Sequence, residues 1–158
     1  MERAVLLRLF RALAREEVAY VLVGGVAVNL HGIVRATEDV DLFVRASEDN
    51  VSRLKAALRS SFADDPEIDA IRAGDLLGPY PVIRYVPPDG SLSVDVITRL
   101  GERFEFDDLE ASPRDLDGVR ITLATPRTLY RMKRDTTRPI DAQDAARLRI
   151  AFQLEEDA

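Results

Sequence analysis

Two residue groups in this chain have the types and spacing to do chemistry. Gly24-Gly25 follows the apolar run from Ala19 to Val23, and Asp39 and Asp41 lie one residue apart in Asp-Val-Asp-Leu-Phe. A glycine pair lets an anion approach the backbone closely, and a helix beginning there offers free N–H groups and a positive dipole end. Side chains two apart on a strand point to the same face. Two carboxylates on one face repel each other unless a cation joins them. A phosphate-accepting turn beside a carboxylate pair is therefore suited to holding a polyphosphate on divalent metal. Each group also has a plain structural reading: a tight strand-to-helix turn, and a half-exposed strand with its acids in water. Aspartate is among the poorest strand formers, which favours the metal reading.

Asp95 is the discriminating third acid. It is a lone charge in Leu-Ser-Val-Asp-Val-Ile. On a surface edge strand it would simply be solvated. If its strand lies beside that of Asp39 and Asp41, three carboxylates converge, which suits two Mg²⁺ ions bridged by a triphosphate.

Lys133 is a fourth candidate. Arg127, Arg131 and Arg134 share one helical face, whereas Lys133 shares the inward face of Leu129 and Met132. An inward lysine needs an anion, and a nucleotide phosphate would serve; the alternative is a lysine snorkelling at the core edge. Asp141 and Asp144 open the last helix, where acids stabilise a first turn. His31 reads as a structural residue beneath the glycine turn. Arg35 reads as a phosphate neutraliser or a partner of Glu38.

The elements that must position these residues follow from periodicity and punctuation. Residues 3–15 place Leu6, Leu9, Phe10 and Leu13 at helical spacing. Residues 19–23 form a buried strand, 26–32 a short helix and 40–44 a second strand. Ser47 caps a helix that runs to about residue 60. Residues 63–79 are acidic and irregular, with a short helix. Strands at 81–86 and 92–97 are joined by Pro-Pro-Asp-Gly, and Asp117-Gly118 turns the chain into a strand at 119–123. Thr125-Pro126 starts a helix to about residue 134, and a last helix runs from about 141 to 154. The order predicts an α/β domain with a mixed sheet.

Composition sets outer bounds. The chain has 158 residues, 46% hydrophobic and 32% charged, which fits one globular domain over 1–158. It has no cysteine and one histidine, so disulfides, thiolate metal sites and multi-histidine zinc sites are excluded. Net charge is −6, but residues 126–149 carry seven basic residues against three acids. The charged start is not a signal peptide, and the longest uncharged stretch, 18–34, is short for a membrane span and contains Asn29, His31 and three glycines. A cytoplasmic protein with no membrane association is expected.

Gly24-Gly25, Asp39-Val40-Asp41 and Asp95 together resemble the signature of the DNA polymerase β-type nucleotidyltransferase superfamily. With His31-Gly32, Arg35 and Thr37 preceding the aspartates, the longer form is similar to the AbiE-type (abortive infection) toxin nucleotidyltransferases and their short uncharacterised relatives. Leu129-Tyr130-Arg131-Met132-Lys133 and Arg138-Pro139-Ile140-Asp141-Ala142-Gln143-Asp144 match that branch's late lysine helix and its Arg-x-x-Asp-x-x-Asp-like segment.

The resemblance implies a polymerase β-like fold, a mixed sheet flanked by helices with further helices at the C-terminal end. It implies Mg²⁺-dependent transfer of a nucleoside monophosphate from a nucleoside triphosphate to an acceptor hydroxyl. Asp39 and Asp41 would bind both ions. Asp95 would bind the ion that activates the acceptor or would take its proton. Gly24, Gly25, Arg35 and Thr37 would hold the nucleotide, Lys133 would neutralise phosphate charge, and Asp144 would be a catalytic or lysine-pairing acid. The implied acceptor is RNA, in particular tRNA, or a partner protein in a toxin–antitoxin pair. An antibiotic acceptor and a non-catalytic module of the same fold are the alternatives. No separate acceptor-binding domain is evident, so a partner or a second copy is expected to complete the site.

Overall fold

The structure, a computed structural model, describes residues 1–78 and 81–156. A six-stranded mixed sheet has the order β3-β4-β2-β1-β8-β7. Its strands are β1 (Tyr20–Val23), β2 (Asp39–Val44), β3 (Val82–Tyr85), β4 (Ser93–Ile97), β7 (Ala111–Leu116) and β8 (Val119–Ala124). A separate two-stranded ribbon pairs β5 (Arg99–Leu100) with β6 (Phe104–Glu105). The helices are α1 (Arg3–Arg15), α2 (Gly24–Leu30), α3 (Glu48–Phe62), α4 (Ala73–Leu77), α5 (Pro126–Lys133) and α6 (Pro139–Phe152).

The two central strands run antiparallel, and β2 then pairs in parallel with β4. Leu22, Leu42, Phe43, Val94, Val96 and Leu123 are fully or nearly fully buried and form the middle of the core, into which α1 contributes Leu9, Phe10 and Leu13. Val40 and Leu42 are fully buried, so the face opposite Asp39 and Asp41 is core, as their alternation predicts. Asn50 ties three elements together. Its amide accepts from the Ala19 N–H and donates to the Ala19 and Arg45 carbonyls.

The cap signals work as read: Ser47 Oγ accepts from the Asn50 N–H at 3.1 Å, and Thr125 Oγ1 accepts from the Thr128 N–H at 3.2 Å. Several boundaries differ. Helix α2 starts at Gly24, two residues earlier than its apolar pattern suggested, and α6 starts at Pro139, which supplies a helical φ at the first position. The irregular 63–79 region contains a 3₁₀ turn (Pro66–Ala70) and α4; residue 79 lies outside the described residues. Strand β7 has no counterpart in the sequence reading. Nearly all of it is exposed, and it contains Pro113, so it shows neither alternation nor an apolar run. Asp117 (φ 51°) and Gly118 (φ 78°) make the tight turn that pairs it with β8. Among the described residues, no helix is long and apolar enough to cross a membrane.

Candidate active site

Strand β1 ends against β2, with Val23 opposite Asp41. The chain then turns sharply at Gly24, whose φ is +67°. A Cβ there would occupy the space of the Asp41 carboxylate. Only glycine satisfies both the left-handed backbone and the close approach. At Gly25 a Cβ would lie 2.7 Å from Thr37 Oγ1 and 3.1 Å from Arg35 Cζ. The glycine pair is thus packed against Asp41 on one side and against the Arg35–Thr37 loop on the other.

The parallel register sets Asp41 opposite Asp95, and Asp39 opposite Ser93. The three predicted acids therefore share one face of two neighbouring strands. Their side chains have protein partners. The Ser93 hydroxyl donates to Asp39 Oδ1. Arg84, opposite Asp95 on the edge strand β3, donates from Nε and Nη2 to the two Asp95 oxygens, both at 2.8 Å. Its Nη2 also lies 3.5 Å from Asp39 Oδ2. Sequence reasoning missed Arg84. An arginine in Val-Ile-Arg-Tyr reads as a solvated edge residue until the strand register is known.

Asp41 is the electrostatically frustrated member. Burial, then the Asp95 and Asp39 charges, push its carboxyl up to about 6, against the opposing pull of Lys133 and of the Gly25 N–H. The hydrogen bonds and charge of Asp95, and then the charge of Asp39, in turn hold the Arg84 guanidinium cationic beyond its ordinary range.

A second charge cluster adjoins the glycine turn. Lys133 is buried and inward, as its helix face predicts, but it does not snorkel. Its Nζ lies 2.6 Å from Asp141 Oδ1 and 2.9 Å from Asp144 Oδ2. Arg35 Nη1 reaches the same Asp144 oxygen at 2.8 Å, so Arg35 pairs with Asp144 and not with Glu38. Asp144 is fully buried, and its Oδ1 has no partner among the described residues. Because α6 begins at Pro139, Asp141 and Asp144 lie inside the helix and bind the lysine; neither caps the helix. Asp141 also accepts from the Thr136 hydroxyl at 3.1 Å. Burial raises the Asp141 pKa, but the hydrogen bonds and charge of its partners outweigh that and hold it below the usual carboxylate range. Asn29 holds the Arg35 backbone from both sides, accepting from its N–H at 2.8 Å and donating to its carbonyl at 3.0 Å. His31 bonds the Ala124 carbonyl through Nε2 at 2.8 Å and meets Phe152 edge-on, and burial lowers its pKa. Of the arginine stripe, Arg131 stacks over Phe104, and Arg134 over Tyr130.

The donor set is all carboxylate oxygen, which suits a hard divalent cation such as Mg²⁺. Burial and the Asp95 and Asp39 charges disfavour the Asp41 carboxylate, and a cation at the same place would relieve it. As the side chains stand, no group of three or more acids or histidines among the described residues is gathered tightly enough to hold a metal ion. Arg84 takes both Asp95 oxygens and supplies the compensating charge.

Comparison with known proteins follows the same lines. No curated protein sequence matches the chain. Among solved structures, ANT(2")-Ia in complex with adenylyl-2"-tobramycin superposes with a TM-score of 0.55 at 14% identity, covering 99% of this chain and 92% of that one. That likeness speaks for the fold, the mixed sheet with its flanking helices. The family model "Nucleotidyl transferase AbiEii toxin, Type IV TA system" matches residues 6–146, a span containing the glycine turn, all three strand aspartates, Lys133 and Asp144. The chain belongs to the AbiEii toxin family of nucleotidyltransferases, with a polymerase β-like fold.

Proposed function

We propose that the protein transfers a nucleoside monophosphate from a nucleoside triphosphate to an acceptor hydroxyl, with Mg²⁺ held by Asp39, Asp41 and Asp95. The acceptor oxygen forms a bond to the α-phosphorus as the bond to the β-phosphate oxygen breaks, and pyrophosphate leaves. One observation carries this reading: Asp41 and Asp95 stand opposite each other across β2 and β4, at the glycine turn, with the Asp41 carboxyl pushed up to about 6 by burial and then by the Asp95 and Asp39 charges.

Two Mg²⁺ ions bound there would neutralise triphosphate charge and lower the pKa of the acceptor hydroxyl. The chain's own residues do the rest. The Gly24-Gly25 turn seats Asp41 against the start of α2, where the triphosphate would be held, and Arg35 and Thr37 line that turn. Lys133, fixed by Asp141 and Asp144, brings positive charge to the Asp41 side of the site. Asp95 accepts the acceptor's proton. Positioning and charge neutralisation account for most of the acceleration in such transfers.

For the acceptor, the net positive segment 126–149 favours RNA, including tRNA, through phosphate contacts. A cognate antitoxin in a toxin–antitoxin pair is the expected regulatory partner. A small-molecule acceptor is the second reading. It is favoured by a cleft of ≈ 430 Å³ lined by Glu38, Asp39, Arg84 and Ser93, and by the adenylylated tobramycin in the ANT(2")-Ia complex.

The test is label transfer from α-³²P nucleoside triphosphates, supplied one at a time, to total RNA, to candidate partner proteins and to aminoglycosides. Label on RNA supports the first reading and label on an aminoglycoside the second. In parallel, Mg²⁺ with nucleotide should raise the melting temperature of the wild type, because a ligand of the folded state stabilises it. The Asp39→Asn, Asp41→Asn double variant should lose that rise; an undiminished rise would place the nucleotide elsewhere. No transfer to any acceptor, with the melting response intact, would favour a non-catalytic binding module.

A further inference from the structure

Arg84 is bound to the acids yet positioned to leave them. It forms two parallel hydrogen bonds to Asp95 and reaches Asp39, so it spans two of the three strand carboxylates. Its side chain is nevertheless 57% exposed, on the edge strand of the sheet. It also lines the ≈ 430 Å³ cleft, together with Glu38, Asp39 and Ser93. While Arg84 holds both Asp95 oxygens, it competes with a metal ion for their lone pairs and their charge. The planar guanidinium suits this position, because its fork matches both oxygens of one carboxylate as an ammonium cannot.

We propose that Arg84 is the resident counter-ion of the strand carboxylates: it neutralises Asp39 and Asp95 in the metal-free protein and withdraws into the adjoining cleft when a divalent cation takes its place. The inference rests on the reading that these carboxylates hold divalent ions. Its physical basis is competition between a monovalent and a divalent charge for the same oxygens. The cleft gives the displaced guanidinium room, and an anionic group of a bound substrate would be its natural partner there. Arg84 is thus a positioning residue that sets the affinity of the metal site.

The experiment measures Mn²⁺ binding without nucleotide, by the electron paramagnetic resonance of free Mn²⁺, for wild type, Arg84→Gln, Arg84→Lys and the double variant Arg84→Gln, Asp95→Asn. Arg84→Gln should bind Mn²⁺ about tenfold more tightly than wild type, since a unit positive charge a few ångströms away no longer opposes it. Arg84→Lys should gain less, because it keeps the charge but loses the fork. Adding Asp95→Asn should remove most of the gain. Metal-free Arg84→Gln should also melt lower than wild type, with Mn²⁺ restoring it. If Arg84→Gln fails to fold, Arg84→Lys alone decides, with a measurable gain expected. Binding that depends on the aspartates but is unchanged or weaker in the Arg84 variants would overturn the counter-ion role and leave the metal reading standing. Absence of Mn²⁺ binding in every variant would overturn both.

Discussion

Asp41 packs so closely on Gly24 that its carboxylate fills the space a side chain at position 24 would need. The turn and the acid are therefore one unit, although Gly24 opens α2 and Asp41 lies within β2.

Gly24→Ala is accordingly expected to cost about 2 kcal/mol or more, from left-handed backbone strain together with the collision with Asp41. Gly32 also has a positive φ, of 89°, but has open space around it. Gly32→Ala should cost only the strain, about 1 kcal/mol. Urea unfolding of the two variants checks this; equal losses would mean that the collision relaxes.

Asp41→Asn should stabilise the metal-free protein at pH 7, by about 1–2 kcal/mol, because the charged carboxylate is disfavoured there by burial and by Asp95 and Asp39. The same variant should lose its melting response to Mg²⁺ and nucleotide. Thermal melts without metal read the first effect. A less stable variant would show that the Asp41 charge helps hold the fold.

The Lys133 network changes what a lysine substitution does. A semi-exposed lysine would be dispensable to the fold, but this one is buried between two acids. Lys133→Met should lose nucleotidyl transfer and also cost about 3–5 kcal/mol, since it strands buried charge on Asp141 and Asp144. Adding Asp144→Asn should recover part of that stability without restoring transfer. Arg131→Ala, which removes a stacking contact with Phe104, should cost under about 1 kcal/mol. A fully stable Lys133→Met variant would mean that the acids find other partners.

Asp141 makes a pH prediction. Its folded carboxyl sits below the usual range, so its contribution is fully present above the unfolded value, about 3.9, and is lost as pH falls through the lower folded value. Asp141→Asn should therefore destabilise by about 2–3 kcal/mol at pH 7, with a penalty that shrinks below about pH 4. Chemical denaturation at pH 7 and pH 3 compares them. A penalty independent of pH would assign the loss to packing.

The residues that were legible in the sequence are those whose local pattern is unusual. Asp39 and Asp41 alternate with buried Val40 and Leu42, and Asp95 is a lone charge in an apolar strand. Lys133 breaks the arginine stripe of its own helix and is indeed inward. The partners of these residues were not legible in the local pattern, because they are set by register and by long-range packing; the lysine-pairing role of Asp144 came from the family resemblance alone. Arg84 meets Asp95 only through the β3–β4 pairing, and Arg35 meets Asp144 only once α6 packs beside α5. Strand β7 was hidden for the opposite reason. It is almost wholly exposed, so no burial pattern marks it, and the turn at Asp117-Gly118 is the sole local sign that a strand precedes β8.

The bond from Arg35 to Asp144 spans 109 residues of chain. It has a consequence during synthesis. A growing chain can pair β1 with β2 early, but Arg35 and Lys133 lack their shared acid until α6 has left the ribosome. For a member of a toxin family, that order delays assembly of the site until α6 has been made. Ribosome-stalled chains with Asp144 still enclosed should bind nucleotide far more weakly than released ones, and equal binding would show that the glycine turn matures without its distant anchor.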